Sequence, residues 1–325
     1  MKSGRTRASL VAAAFLAACA PAATGTDAVS PPSRDASAYP PTGRFVEAGG
    51  TRVHVHAAGR ARADAPTVIL IHGASGNSRD FSFDLTDRLD DSYRVLAMDR
   101  PGLGHTPPLH TRGESPLEQA ALLDAAAGAL GVERAVVVGH SYGAAVAMAW
   151  ALEHPERVAG VVSLAGATMP WPGGLGPWYT IASSGIGGAT VVPLVSALAP
   201  PAVARNAIES VFAPQEPPEG YAQYIGIGLS LRPRTLRASA RQVNALKPYI
   251  TAMAERYHRL DMPVEVVHGT KDTIVPLKIH GARMVELIPG ARLTPLEGVG
   301  HMPHHARPEV AVAAIDRVAD RAGRR

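Results

Sequence analysis

From Arg44 onward, short β-rich apolar runs alternate with stretches of helical periodicity, and that order leaves few folds open. Arg44–Ala48 and Thr51–His56, separated by Gly49-Gly50, read as an antiparallel hairpin. Thr67–Ile71, Arg94–Met98, Ala135–Val138, Val158–Leu164 and Val264–Val267 are runs of the same kind, with a shorter one at Ala291–Pro295. Between them Arg79–Leu89, Pro116–Leu130, Tyr142–His154 and Pro276–Leu287 carry helical patterns, and Pro308–Asp320 closes the chain. Strands alternating with helices imply an α/β fold, a mainly parallel sheet covered on both faces. No internal repeat, G-x-G-x-x-G or G-x-x-x-x-G-K-[ST] interrupts the pattern.

One segment departs from it. Residues 168–258 hold half of the aromatic residues, among them Trp171, Trp178, Tyr179, Phe212, Tyr221 and Tyr224, and no charged residue occurs from Thr168 to Ala204. Proline recurs too often for a transmembrane helix, which needs about 20 uninterrupted apolar residues. The segment is expected to be an insertion lying over the sheet.

Gly139-His140-Ser141-Tyr142-Gly143 is a G-x-S-x-G motif between the run Ala135–Val138 and a helix rich in alanine. A serine on a tight strand-to-helix turn projects its hydroxyl, and flanking glycines let neighbouring backbone pass closely. The hydroxyl is a weak nucleophile and needs a base, which in turn needs an orienting acid. Asp272, in His268-Gly269-Thr270-Lys271-Asp272, and His301, in Gly298-Val299-Gly300-His301, follow in the chain order Ser…Asp…His. Each lies on a loop beyond the carboxyl end of a strand, so the three can meet at one sheet edge. Asp99 is a second candidate acid, and Glu265 a remote one inside a strand.

These features resemble the α/β-hydrolase family from residue 44 to 325. His72-Gly73-Ala74-Ser75 resembles the family's oxyanion loop in its short form, and Asp99-Arg100-Pro101-Gly102-Leu103-Gly104 resembles the loop after the next strand. The resemblance implies Ser141 as nucleophile, Asp272 as acid and His301 as base. It further implies an oxyanion hole at the backbone N–H groups of Ala74 and Tyr142, and a cap at 168–258 inserted between core segments 44–167 and 259–325. It implies no cofactor. The reaction expected is hydrolysis of carboxylic esters with an apolar part through an acyl-enzyme. Carbon–carbon bond hydrolysis and perhydrolysis on the same residues are the alternatives, and a non-catalytic ligand-binding lipoprotein is a further one. Serine at position 141 disfavours the aspartate-nucleophile chemistries of this family.

The amino terminus reads as an address. Lys2, Arg5 and Arg7 precede the apolar run Ala8–Ala18, and Leu16-Ala17-Ala18-Cys19 resembles the lipobox of bacterial lipoproteins. The expectation is a signal at 1–18, a lipidated Cys19 (the sole cysteine) and a Pro/Ala/Ser-rich tether over 20–43, reaching on the order of 25–30 Å from a membrane. The net charge of +4 owes three of its charges to that leader, and no basic stripe supports nucleic-acid binding.

Other residues are expected to play structural parts. His140 is expected to pack beside its strand, and Ser75 to serve its turn. His54 and His56 share one face of the hairpin and are expected to be solvated. His304 and His305 are expected at the surface, with no metal, because no nearby Cys, Asp or Glu completes a ligand set. Arg232, Arg234, Arg237 and Arg241 recur at helical spacing and are expected to form a solvated face.

Overall fold

Valine- and isoleucine-rich runs are stiff at χ1 and favour extended backbone, and here they line up side by side. A computed structural model describes Ser33, residues 35–59 and residues 65–323. Its strands are β1 (Arg44–Ala48), β2 (Thr51–Ala58), β3 (Thr67–Ile71), β4 (Arg94–Met98), β5 (Ala135–His140), β6 (Val158–Leu164), β7 (Val264–Gly269) and β8 (Arg292–Leu296). They form one sheet in the order β1-β2-β4-β3-β5-β6-β7-β8, with β2 antiparallel to β1 and β4 and every other pair parallel. The expected α/β fold is therefore present.

Residues of β3, β5 and β7 are buried at every position, as strands covered on both faces must be. Alternate residues serve opposite layers. Ile69, Ile71 and Val137 pack with the helices Pro116–Ala129 and Tyr142–Glu153, whereas Val68, Leu70, Val136 and Val138 pack with Phe81, Leu85 and the helix Pro308–Gly323. β8 is the edge strand and carries Pro295, which an edge tolerates. Glu265, inside β7, points into the second layer and accepts from Arg317 and Arg321 at 3.0 and 3.4 Å.

Two helical expectations shorten. Arg79–Leu89 divides into Arg79–Ser82 and Leu85–Leu89 because Asp84 takes non-helical backbone angles. The helix expected from Pro276 begins at Gly281, with His280 as its N-cap; the His280 Nδ1 accepts the Met169 N–H at 3.2 Å. Residues 168–258 fold mostly as helices between β6 and β7, ending in Pro233–Ala254, whose Leu246, Ile250 and Met253 anchor in the first layer. Among the described residues no single helix is long and apolar enough to cross a membrane.

Residues 1–32 and Arg34 lie outside the described residues, so the signal, Cys19 and most of the tether are not placed. The described end of this segment lies against the fold. Tyr39 is buried against Gly226, and Arg79 donates to the Pro40 carbonyl at 2.8 Å.

The chain passes from β3 to β4 on one side and then to β5 on the other, which opens a crevice at their carboxyl ends. Arg100 stiffens that rim. Fully buried, it donates to the carbonyls of His72 and Gly73 at 2.9 and 2.8 Å and to the Gln119 and Gln242 side chains at 2.9 Å each. Its guanidinium stands 4.4 Å from the centre of the Tyr142 ring. Burial lowers its pKa to about 10, so it stays charged at neutral pH. Removing it strands several buried acceptors. Arg100→Ala is expected to lower the unfolding free energy by about 3–5 kcal/mol, read from the urea midpoint at unchanged slope. A loss below about 1 kcal/mol would contradict the anchoring role.

Candidate active site

β5 stops at His140 and the next helix starts at Tyr142, leaving Ser141 at φ 53° and ψ −117°. L-residues rarely adopt such angles, and holding one there costs about 1–3 kcal/mol that surrounding contacts must offset. Those contacts explain the two glycines. A Cβ on Gly143 would lie 2.0 Å from the Ile71 carbonyl oxygen, and one on Gly139 would lie 2.3 Å from the Gly143 oxygen. Hydrogen bonds pin the turn further: the Ser141 N–H donates to the Leu164 carbonyl, and the Ser141 carbonyl accepts from Ala144 and Ala167.

Asp272 follows β7 and His301 follows β8, and both reach the same edge as Ser141. His301 Nδ1 lies 2.7 Å from Asp272 Oδ2, and Nε2 lies 3.0 Å from Ser141 Oγ. An ionised carboxylate only accepts, so Nδ1–H donates to it and Nε2 is left to accept the serine hydroxyl. Asp272 Oδ1 accepts from the Ile274 and Val275 N–H groups at 2.9 and 2.8 Å. Burial alone would raise the Asp272 carboxyl; His301 and His268 outweigh it and hold the group below the usual carboxylate range. Gln215, which no sequence signal marks, clamps the histidine turn. Gly300 N–H donates to its Oε1 at 2.8 Å, and its Nε2 donates to the Gly298 carbonyl at 3.0 Å.

Across the crevice, the Ala74 and Tyr142 N–H groups have no protein acceptor among the described residues. Arg100 holds the carbonyls just before Ala74. Ser75 is turned away from this role: its N–H and hydroxyl both meet the Ser239 hydroxyl, at 3.1 and 2.9 Å. Asp99 is committed elsewhere. It accepts from the Ser78 and His105 N–H groups at 2.7 Å each and from His54 Nδ1 at 2.8 Å, which ties the loops after β3 and β4 together.

Several expectations for surface residues need correction. His54 is fully buried, because the loop after β4 lies over its ring, with Asp99 Oδ2 2.8 Å from Nδ1 and the His105 ring centred 5.2 Å away. His56 does remain partly exposed. Arg232 donates to the carbonyls of Leu229 and Gly104, and Arg241 to that of Thr111, so these two bind the inserted helices to core loops instead of forming a solvated face.

The larger correction concerns His304 and His305. Asp80, more than two hundred residues earlier, is buried beside them. Its Oδ1 accepts from Tyr221 Oη at 2.8 Å and from His305 Nε2 at 2.9 Å, and its Oδ2 lies 3.3 Å from His304 Nε2. The charge and hydrogen bonds of the histidines outweigh burial and hold the Asp80 carboxyl far below its ordinary range. His140 completes the group, with Nδ1 3.7 Å from Asp80 Oδ2 and Nε2 3.0 Å from the His301 carbonyl. Burial and the neighbouring imidazoles push its pKa well down. Asp80, His140 and His304 present ligand atoms within 4.8 Å of one another, so the carboxylate missing from the sequence set is supplied by the fold.

Ser141 and His301 open onto a cavity of about 260 Å³. Its far wall comes from the inserted segment, including Ile208, Val211, Phe212, Ile225, Leu231 and Leu236. Among the described residues no lysine or arginine lines it, and Asp80 is its one carboxylate.

The alpha/beta hydrolase family model matches residues 68–315. An uncharacterised protein of Mycobacterium tuberculosis, Rv2715, is 27% identical over 304 residues, which cover 89% of this chain and 84% of that protein. Among solved structures, the esterase RhEst1 from Rhodococcus sp. is 24% identical with a TM-score of 0.65, over 85% of this chain and 98% of that one. The 2-hydroxy-6-oxo-6-phenylhexa-2,4-dienoate hydrolase of Rhodococcus sp. is 20% identical with a TM-score of 0.71, over 85% and 97% respectively. A match spanning most of the strands, helices and loops described above establishes that this chain belongs to the alpha/beta hydrolase family and is a hydrolase of that superfamily.

Proposed function

We propose that this protein is a serine hydrolase that cleaves carboxylic esters with an apolar part through an acyl-enzyme. The observation that carries the reading is the continuous hydrogen-bonded run from Ser141 Oγ through His301 to Asp272, at 3.0 and 2.7 Å, beside two unpartnered N–H groups. Ser141 Oγ attacks the acyl carbon while its proton passes to His301 Nε2. The oxyanion is taken by the N–H groups of Ala74 and Tyr142, each lowering the barrier by about 3 kcal/mol. Collapse breaks the acyl–oxygen bond, and His301 returns the proton to the departing alcohol. A water, deprotonated by His301, then releases the acid and restores the hydroxyl. Asp272 holds the imidazole in the required tautomer throughout.

The cavity wall favours this reading over hydrolysis of a carbon–carbon bond in a dienoate, the substrate type named for the second Rhodococcus protein. Such a substrate brings a carboxylate, and among the described residues no lysine or arginine lines the cavity to receive it. A neutral ester with an aliphatic or aromatic part suits the leucine, isoleucine and phenylalanine surface. In this reading residues 168–258 act as a cap that shapes the pocket.

The same proposal places the enzyme at the bacterial cell envelope, anchored through a lipidated Cys19. Ile181, Ile186, Leu194 and Leu198 are exposed on the helices Pro177–Ser183 and Gly185–Leu198, and an apolar face of that kind is compatible with work beside a lipid surface.

Three outcomes follow. Ser141→Ala is expected to lower kcat/KM for a chromogenic butyrate ester by about 1,000-fold or more with the fold intact by circular dichroism; undiminished turnover would refute the nucleophile. Across a series of chromogenic esters, butyrate or longer acyl groups should turn over faster than acetate, whereas acetate as the best of all would contradict a roomy apolar pocket. Cys19→Ser should move the full-length protein from the membrane fraction to the soluble fraction of its host, and unchanged partitioning would contradict the anchor.

A further inference from the structure

We propose that Asp80, His140 and His304 form a binding site for one zinc-class divalent cation in the wall of the cavity that also receives Ser141. The site goes beyond the ester-hydrolase reading and does not depend on it.

The spacing suits the ion. Zinc held tetrahedrally by nitrogen and oxygen at about 2.0–2.1 Å keeps its ligand atoms about 3.3–3.4 Å apart. Asp80 Oδ2 lies 3.3 Å from His304 Nε2 and 3.7 Å from His140 Nδ1, and the three residues' ligand atoms all fall within 4.8 Å of one another. Two imidazoles and one carboxylate are a ligand set for zinc, cobalt or nickel, not for the oxygen-seeking magnesium or calcium.

The proton positions point the same way. A backbone carbonyl can only accept, so the 3.0 Å contact between His140 Nε2 and the His301 carbonyl places the proton on Nε2. The neutral ring then presents a bare lone pair at Nδ1, buried and without a hydrogen-bond partner. That lone pair faces the ionised Asp80 carboxylate at 3.7 Å, acceptor against acceptor. A cation between them resolves the clash. The alternative, a second proton on His140, would set a buried imidazolium between the rings of His301 and His304, whose centres stand 5.0 and 4.6 Å away.

Two of the three ligands are oriented as metal ligands are. His140 is oriented through its other ring nitrogen by a carbonyl, and Asp80 Oδ1 is held by Tyr221 and His305. Ligation requires His304 to carry its proton on Nδ1 in place of Nε2. Asp80 and His140 both line the cavity, which supplies an entry path and the source of a fourth, non-protein ligand. An ion here would fix the residue directly before Ser141 and, through His140, the main chain of His301.

The test is cobalt and zinc titration of the full chain after chelator treatment. One equivalent of Co²⁺ is expected to bind with the intense visible absorption of a tetrahedral site and to be displaced by one equivalent of Zn²⁺. Asp80→Asn and His304→Gln should abolish that absorption. Tyr221→Phe, which keeps the packing and removes only the bond to Asp80, should weaken binding by about 10-fold or more. No tetrahedral cobalt spectrum in the parent protein would overturn the proposal even if a variant failed to fold. So would unchanged stoichiometry and affinity in a folded Asp80→Asn protein. Fluorophosphonate labelling of Ser141 in the same samples reports on the hydrolase reading separately.

Discussion

The Ile71 carbonyl leaves no space for a side chain at position 143, and the Gly143 oxygen leaves none at position 139. This close approach of the first turn of the helix Tyr142–Glu153 to the ends of β3 and β5 lets the chain turn from strand to helix within one residue. It holds Ser141 at a positive φ that the residue would not choose alone. The serine hydroxyl is delivered to the crevice where the strand order reverses. The loop after β3 comes with it, so the candidate nucleophile and candidate oxyanion donors share one rigid origin. His301 and Asp272 arrive from the other half of the sheet, on loops after β8 and β7. Their convergence depends on the parallel register that puts all those carboxyl ends on one side.

Around that turn the molecule buries several charged side chains, each with a separate task. Arg100 fastens the loop after β3 to two helices, whereas Asp99 gathers donors from the loops after β3 and β4 and from His54 of β2. Glu265 faces the opposite layer, paired with arginines of the last helix. Asp80 differs from these. Its partners are histidines and a tyrosine, and one facing nitrogen offers no proton. A carboxylate in such company is a ligand in waiting, while the others are structural ties.

Much of this was legible in the sequence because it rests on local signals. Strand runs of valine and isoleucine, the glycines flanking Ser141 and the chain order of Ser141, Asp272 and His301 each carry a short-range physical reason. What escaped detection was non-local. His304 and His305 read as surface residues because their carboxylate partner stands at position 80, on a different layer element, and only folding joins them. His54 read as solvated because nothing in the hairpin told that the loop after β4 would bring Asp99 and His105 over its ring. Gln215 gave no signal, since glutamine is common on any helix-rich segment and its clamp on Gly298 and Gly300 exists only when the inserted helices are seated. The split of Arg79–Leu89 is the one local failure; its apolar spacing continues through Asp84, where the backbone does not.

The central claim is that the strained serine at the end of β5 is the reacting group. Treating the purified full chain with a fluorophosphonate and mapping the modified peptide by mass spectrometry tests it most directly. A single phosphonyl adduct on Ser141, formed in the parent and lost when Asp272 or His301 is replaced, is the predicted result. An adduct on another residue, or none on a folded protein, would contradict it.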